Sequence, residues 1–186
     1  MRDVIETKRL KLRPLRTTDA QRVARFCGDP SVGRMLAMTP LPYLEAAAEG
    51  WIMTLKARAP LGRDFVYAVD SPGEGLIGAI GAHARGEGFE IGYWYGRPYW
   101  GQGFASEALA ALVAAARKLG ALTSGHFADN PASGRVLEKA GFVYTGEVEP
   151  TFSMGRGETV PCRRMRYASG AARAAPELGA VEAFAC

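Results

Sequence analysis

Cysteine and histidine are scarce in this chain of 186 residues, at three and two. Cys27, Cys162 and Cys186 are an odd number with no short spacing, which argues against a disulfide framework and a zinc site and fits a reducing cytosol. His83 and His126 stand singly at or near predicted strand ends, where a lone histidine is more often structural than catalytic. No apolar run approaches the roughly 18 residues of a membrane span. The charged start (Arg2, Asp3, Glu6, Lys8, Arg9) lacks the apolar stretch of a signal peptide. A basic block is missing too. The net charge is +4 with the cations scattered, and Arg163, Arg164 and Arg166 alternate with Met165 and Tyr167 as in a strand, so nucleic acid is not an expected partner.

What is present suits one soluble domain with one sizeable core: 48% hydrophobic and 23% charged residues. Residues 8–15 alternate basic and apolar as a half-buried strand does. Thr18 and Gln21 give a capping-box signal for a helix near 18–28. A Pro-rich loop at 39–43 precedes a helix over 44–58. Strands follow at about 64–70 and 75–84, split by Ser71-Pro72-Gly73, and at 88–96. Ala105, Ala108, Leu109, Leu112, Val113, Ala116 and Leu119 then mark one face of a long helix. A short strand at 121–128 runs to Asn130-Pro131, a helix start, and Gly141 ends that helix. Phe142–Glu149 and Val160–Tyr167 read as a final strand pair. The order predicts an α+β (mixed α/β) domain over 1–168 and an Ala-rich tail over 169–186.

The densest chemical signal is Pro98-Tyr99-Trp100-Gly101-Gln102-Gly103-Phe104-Ala105-Ser106-Glu107, a glycine-rich turn between a strand and a helix N-terminus. Such a turn cradles phosphate: its N–H groups converge and the helix dipole adds partial positive charge. It is not a P-loop, because the Lys-Ser/Thr pair is missing. A dinucleotide site lacks its third glycine and the acid about 20 residues on, where the sequence reads Ala121-Leu-Thr-Ser-Gly-His126.

Residues across most of the chain agree on a third ligand. Glu6-Thr7-Lys8-Arg9-Leu10-Lys11-Leu12-Arg13-Pro14, Glu90-Ile91-Gly92-Tyr93-Trp94 with the glycine turn, Asp129-Asn130-Pro131-Ala132-Ser133, and Glu138-Lys139-Ala140-Gly141-Phe142 occur in order over residues 6–146. Together they resemble the GNAT N-acetyltransferase superfamily, in the branch of ribosomal-protein N-terminal acetyltransferases. The resemblance implies a twisted mixed sheet of about seven strands with about four helices, splayed between the fourth and fifth strands. It implies acetyl-CoA as donor, with the pantetheine arm lying in the splay and a bulge at Gly92 or Gly96 opening it. No metal is expected.

The same resemblance distributes roles. Free N–H groups near Tyr93, Trp94 and Tyr95 would face the acetyl carbonyl and steady its charge during attack. Gly101, Gln102, Gly103, Phe104, Ala105 and Ser106 would hold the pyrophosphate. Trp100 stands where the superfamily usually has Arg or Gln, so backbone contacts should dominate there. Asn130 would meet the pantetheine amide, Arg135 and Lys139 the coenzyme's phosphates, and Ser133 would protonate the departing thiolate. Glu90 is the general-base candidate, whereas Glu107 suits the helix dipole structurally. The expected function is N-acetylation of a primary amine by direct attack in a ternary complex, the amine being a protein N-terminus or a small molecule. The expected setting is a cytoplasmic monomer or homodimer. A non-enzymatic coenzyme A sensor and a nicotinamide oxidoreductase are the rival classes.

Overall fold

The computed structural model describes residues 3–168; Cys186 and the stretch 169–186 lie outside them. Eight strands form one sheet: β1 (Ile5–Glu6), β2 (Lys11–Pro14), β3 (Asp64–Ser71), β4 (Gly75–Arg85), β5 (Gly88–Tyr95), β6 (Leu122–Phe127), β7 (Phe142–Ser153) and β8 (Glu158–Tyr167). Their spatial order is β1-β2-β3-β4-β5-β6-β8-β7. All neighbours are antiparallel except β5 and β6. Five α-helices accompany them: α1 (Ala20–Cys27), α2 (Pro30–Gly33), α3 (Glu45–Arg58), α4 (Phe104–Ala116) and α5 (Pro131–Lys139). The extra strand relative to the sequence reading is the two-residue β1, and the extra helix is the single turn α2. Both are too short to leave a periodic signal.

Two apolar layers cover the sheet. On one face Leu12, Val69, Ile91 and Tyr95 pack against Ala108, Leu109, Leu112, Val113 and Ala116 of α4 and Leu137 of α5. Each of the Leu, Ile and Val side chains contributes about 1.5–3 kcal/mol when fully buried. The α4 stripe is the one its sequence spacing predicts, except that the helix stops at Ala116 and leaves Leu119 exposed. On the other face Ala68 and Leu76 meet Val23, Ala24 and Cys27 of α1 and Ala48 and Ile52 of α3, with Trp94 at the margin. The Thr18/Gln21 capping box does not form. Instead a 3-10 turn, Thr17–Asp19, leads into α1, and the Asp19 carboxylate accepts the Arg16 N–H at 2.7 Å.

β5 and β6 pair only at Phe89–Leu122, Glu90–Thr123 and Ile91–Ser124, then diverge. The bulge expected in β5 is absent, since β5 stays in unbroken register with β4 from Gly88 to Tyr95. It is β6 that turns away, following β8 as far as Phe127–Cys162 and on to the Ala128 N–H bonded to the Pro161 carbonyl. Gly96 has a packing reason instead: a Cβ there would lie 2.6 Å from the Phe26 ring.

α5 sits close on the splayed half of the sheet because Gly134 has no side chain. A Cβ there would stand 2.5 Å from the Tyr144 hydroxyl and 2.8 Å from His126 Nε2, two atoms that bond each other at 3.0 Å. His126 is buried, and its Nδ1 bonds the Phe127 carbonyl, so it is structural. Gly134→Ala should therefore cost about 1–3 kcal/mol in chemical denaturation, as overpacking does, despite alanine's better helix propensity.

Candidate active site

The splay is the centre of the site. Backbone bonding alternates along an antiparallel ladder. The Gly96 N–H donates to Ile77 and the Phe89 N–H to Ala121 on the β6 side. By that parity the peptide groups of Tyr93 and Tyr95 face the gap where β6 has left, while that of Trp94 points into β4. The N–H groups offered to the cleft are thus those of Tyr93 and Tyr95, a correction to the Tyr93–Trp94–Tyr95 set. The Tyr95 carbonyl is taken by the Trp100 indole N–H at 2.8 Å.

The glycine turn stands at one mouth of the splay. Gly101 and Gly103 have φ of 74° and 79°, left-handed values that an L side chain adopts only with strain. Nothing lies within 4 Å of where a Gly101 Cβ would be. Gly101, Gln102 and Gly103 are exposed, Phe104, Ala105 and Ser106 half-buried. Trp100, which stands where the superfamily usually has Arg or Gln, is 45% exposed and reaches back over Tyr95.

Sequence reasoning missed a cation here. Arg9 donates to the Gln102 carbonyl at 3.1 Å and to Glu107 at 2.7 Å, and stacks 4.5 Å from the Phe104 ring centre. Glu107 also accepts from the Thr7 hydroxyl at 2.7 Å. Burial alone would raise its carboxyl, but the Thr7 and Arg9 bonds outweigh it and its pKa is lowered. Nothing near residue 9 in sequence signals a partner 93 positions away.

α5 brings the other group. Asn130 is its N-cap, with the side-chain oxygen accepting the Ser133 N–H at 3.3 Å. The Tyr93 hydroxyl lies 2.9 Å from Ser133 Oγ and 3.1 Å from the Ser133 carbonyl oxygen. A carbonyl only accepts, so when Tyr93 donates to it, the Ser133 hydroxyl can donate to Tyr93. Burial pushes the Tyr93 phenol up to about 12, keeping it a protonated donor at neutral pH. Arg135 and Lys139 are exposed on α5.

Glu90 is tied on both oxygens. Arg85 reaches Oε2 at 2.6 Å and Arg164 reaches Oε1 at 2.7 Å, and the same two arginines approach Glu149 at 3.2 and 3.4 Å. Burial alone would raise the Glu90 carboxyl; hydrogen bonds and charge from Arg85 and Arg164 outweigh it and lower the pKa. Arg164 arrives across β6 only because residue 125 is glycine, whose Cβ would stand 2.9 Å from Arg164 Nη1. A carboxylate so held is a weak base.

A second cleft, about 300 Å³ in volume, opens on the α1–α3 face. Gly81, Gly92 and Trp94 form its floor, with Tyr43, Trp51 and the 36–39 segment around it, and among the described residues no Asp or Glu lines it. Cys27 lies there too, but burial pushes its thiol up to about 12, which leaves almost no thiolate for nucleophilic attack.

A family model matches most of the chain that builds this site. Residues 9–143 match the acetyltransferase (GNAT) domain. The chain belongs to the GNAT acetyltransferase family. It is 31% identical over 150 residues to a Bacillus subtilis protein named uncharacterized N-acetyltransferase YoaA, covering 77% of this chain and 84% of that one. Solved GNAT-fold neighbours include Mycobacterium smegmatis RimJ in complex with CoA-disulfide. That match has 22% identity and a TM-score of 0.74, covering 88% of this chain and 87% of that one. A Salmonella typhimurium acetyltransferase that modifies the N-terminal serine of ribosomal protein L7/L12 aligns at 17% identity and TM-score 0.74, covering 88% and 97%. At those identities the likeness is one of fold. As a GNAT member the chain is an acetyl-CoA-dependent N-acetyltransferase. Among the described residues no helix is long and apolar enough to cross a membrane.

Proposed function

We propose that this GNAT enzyme acetylates the α-amine of a peptide or protein N-terminus, seated in the apolar cleft and attacking acetyl-CoA held in the splay. The observation that carries the acceptor side is that no carboxylate among the described residues lines the cleft. A polyamine or an aminoglycoside carries several charges and needs acidic partners. One amine on a compact body does not.

The donor side fits the residues present. The unpaired edge at Tyr93 and Tyr95 can take an extended pantetheine arm as a strand takes a neighbour. The Gln102–Ser106 N–H groups at the α4 start suit a pyrophosphate, with Arg9, paired to Glu107, fixing the turn through the Gln102 carbonyl. The Asn130 side-chain amide has donors left after capping. Arg135 and Lys139 supply exposed cations on α5. Acetyl-CoA supplies an acyl group on a good thiolate leaving group. The Tyr93 N–H, fixed at the vertex, faces the carbonyl oxygen and favours the charge it gains. The Ser133–Tyr93 hydroxyl pair holds a proton for the departing sulfur. With Cys27 protonated, direct attack by the amine needs no enzyme thiolate.

Acceptor acidity predicts selectivity. An α-amine near pKa 7.8 needs about 1 kcal/mol to deprotonate at pH 7 and a lysine amine near 10.4 about 4.6 kcal/mol. Release of coenzyme A thiol should therefore be about 400-fold faster with free-N-terminus peptides than with N-terminally blocked lysine peptides. Turnover confined to polyamines or blocked lysine peptides would refute the N-terminal reading.

A further inference from the structure

We propose that His83, oriented by Asp64, is the general base that takes the proton from the acceptor amine; this rests on the N-acetyltransferase reading above. His83 lies on β4 at the wall of the apolar cleft. Its Nδ1 is 2.8 Å from Oδ1 of Asp64 on β3, whose side chain is only 5% exposed. The other Asp64 oxygen is 2.9 Å from Arg58 Nη2 of α3, an ion pair without hydrogen-bond alignment. A carboxylate on Nδ1 holds the proton there and leaves Nε2 as the acceptor, the orienting logic of a base backed by an acid.

Nε2 is placed for the reaction. It lies 3.3 Å from where a Gly81 Cβ would be, and Gly81 pairs with Gly92, the residue before Tyr93. These facing glycines leave a bare trough from the imidazole to the splay vertex. Nothing stands within 4 Å of a Cβ built on Gly92. Nε2 has no hydrogen-bond partner among the described residues. The imidazole is 43% exposed, so protons can pass on to solvent.

The charged and titratable groups around it are Asp64 on β3, Arg58 on α3, and Glu90 directly across on β5. Arg85 and Arg164 stand behind Glu90, and Cys27 and Tyr43 lie on the far side of the cleft. Burial pushes both Cys27 and Tyr43 up to about 12, and Glu90 is neutralised by its arginines. Imidazole is the group among them suited to exchange a proton near neutrality.

The step balances. As the acceptor nitrogen bonds the acyl carbon it loses a proton to His83 Nε2. The sulfur leaves with the C–S electron pair and takes a proton from the Ser133–Tyr93 pair. His83 then releases its proton to solvent, and the Ser133–Tyr93 pair regains one from solvent, so both groups return to their starting state.

The test is His83→Asn, whose amide still donates to Asp64 but offers no Nε2 base. Amine kcat/KM should fall about 100-fold, the lower end for general-base catalysis. The acid limb of its pH profile should vanish, added imidazole should restore part of the rate, and calorimetry should find acetyl-CoA affinity unchanged. Proton NMR gives a readout without turnover: the His83 Nδ1–H resonance, carried downfield by its bond to the Asp64 carboxylate in the parent protein, should move upfield in Asp64→Asn. A rate within threefold of the parent, a loss with an unchanged pH profile, or a limb that disappears in Glu90→Gln instead would overturn the proposal. Acetyl-CoA binding by the parent chain without CoA release from any amine would remove the enzyme reading itself, and this proposal with it.

Discussion

Arg13→Met should unfold with about 3 kcal/mol less stability than the parent chain, because it strands the buried Asp19 carboxylate and takes the partner from the half-buried Asp70. Arg13 on β2 is 7% exposed. It donates to both oxygens of Asp19 at 2.8 and 2.9 Å and to both oxygens of Asp70 on β3, at 2.5 and 2.9 Å. One planar guanidinium with two bidentate partners makes use of most of its donors. The triad joins the sheet edge to the turn that starts α1, the helix lining the acceptor cleft. Burial alone would raise the Asp19 carboxyl, but hydrogen bonds from Arg13 and from the Arg16 N–H outweigh it and its pKa is lowered. A carboxyl lowered on folding stabilises above its unfolded value, ordinarily 3.8, and that stability is lost as pH falls through the folded value. In Arg13→Met the remaining burial pushes Asp19 the other way, so acid relieves the variant. Urea titrations should find the deficit largest at neutral pH and shrinking towards pH 3. A deficit that is flat with pH would mean that the loss is packing and not charge.

The parts of the site legible in sequence are those fixed by local backbone physics. Gly101 and Gly103 announce left-handed turns, Asn130-Pro131 announces a capped helix start, and the α4 stripe announces its buried face; each is written within a few residues. Family resemblance then placed these pieces around a splay. What stayed hidden depends on register and long-range reach. His83 meets Asp64 19 residues away only because Asp64 and His83 fall opposite each other in the β3–β4 ladder. A one-residue slip of either strand would put the two side chains on opposite faces of the sheet. Read singly, His83 looked structural and Glu90 looked like the base; the pairing reverses their environments. Glu90 meets Arg164 because Gly125 lets a side chain cross an intervening strand, a coincidence of three elements with no linear signature. The Gly92 bulge failed for a similar reason: the splay comes from where β6 goes, not from β5.

The two faces of the sheet divide the work. The α4–α5 side carries the glycine turn, Asn130 and Ser133, while the α1–α3 side carries the apolar cleft and His83. They communicate only at the vertex, where Gly92 leaves the floor open and Tyr93 begins the unpaired edge. Holding that vertex is a mechanical requirement, because β5 and β6 share only three register pairs before they part.

Glu90 sits at the second of those pairs, and its variants separate a clamp from a base. With Arg85, Arg164 and Glu149 it forms a charge ring that links β4, β5, β8 and β7 at the vertex of the splay. Glu90→Lys would face the Arg85 and Arg164 guanidiniums with a third cation. Arg164 is 13% exposed at its side chain and has little water to turn to, so about 3 kcal/mol of stability should go. Acetyl-CoA affinity should fall at least tenfold as the vertex loosens. Glu90→Gln keeps a carbonyl oxygen for one arginine and adds no charge, so it should lose about 1 kcal/mol and retain turnover within about threefold. A base shows the opposite pattern: Gln and Lys would abolish turnover equally, by about 100-fold or more, with stability and acetyl-CoA affinity little changed in Gln. Thermal melts, calorimetric affinity and the pH profile of the Gln and Lys variants together decide between the two. The lowered Glu90 pKa, with both of its oxygens bonded to arginine, favours the clamp.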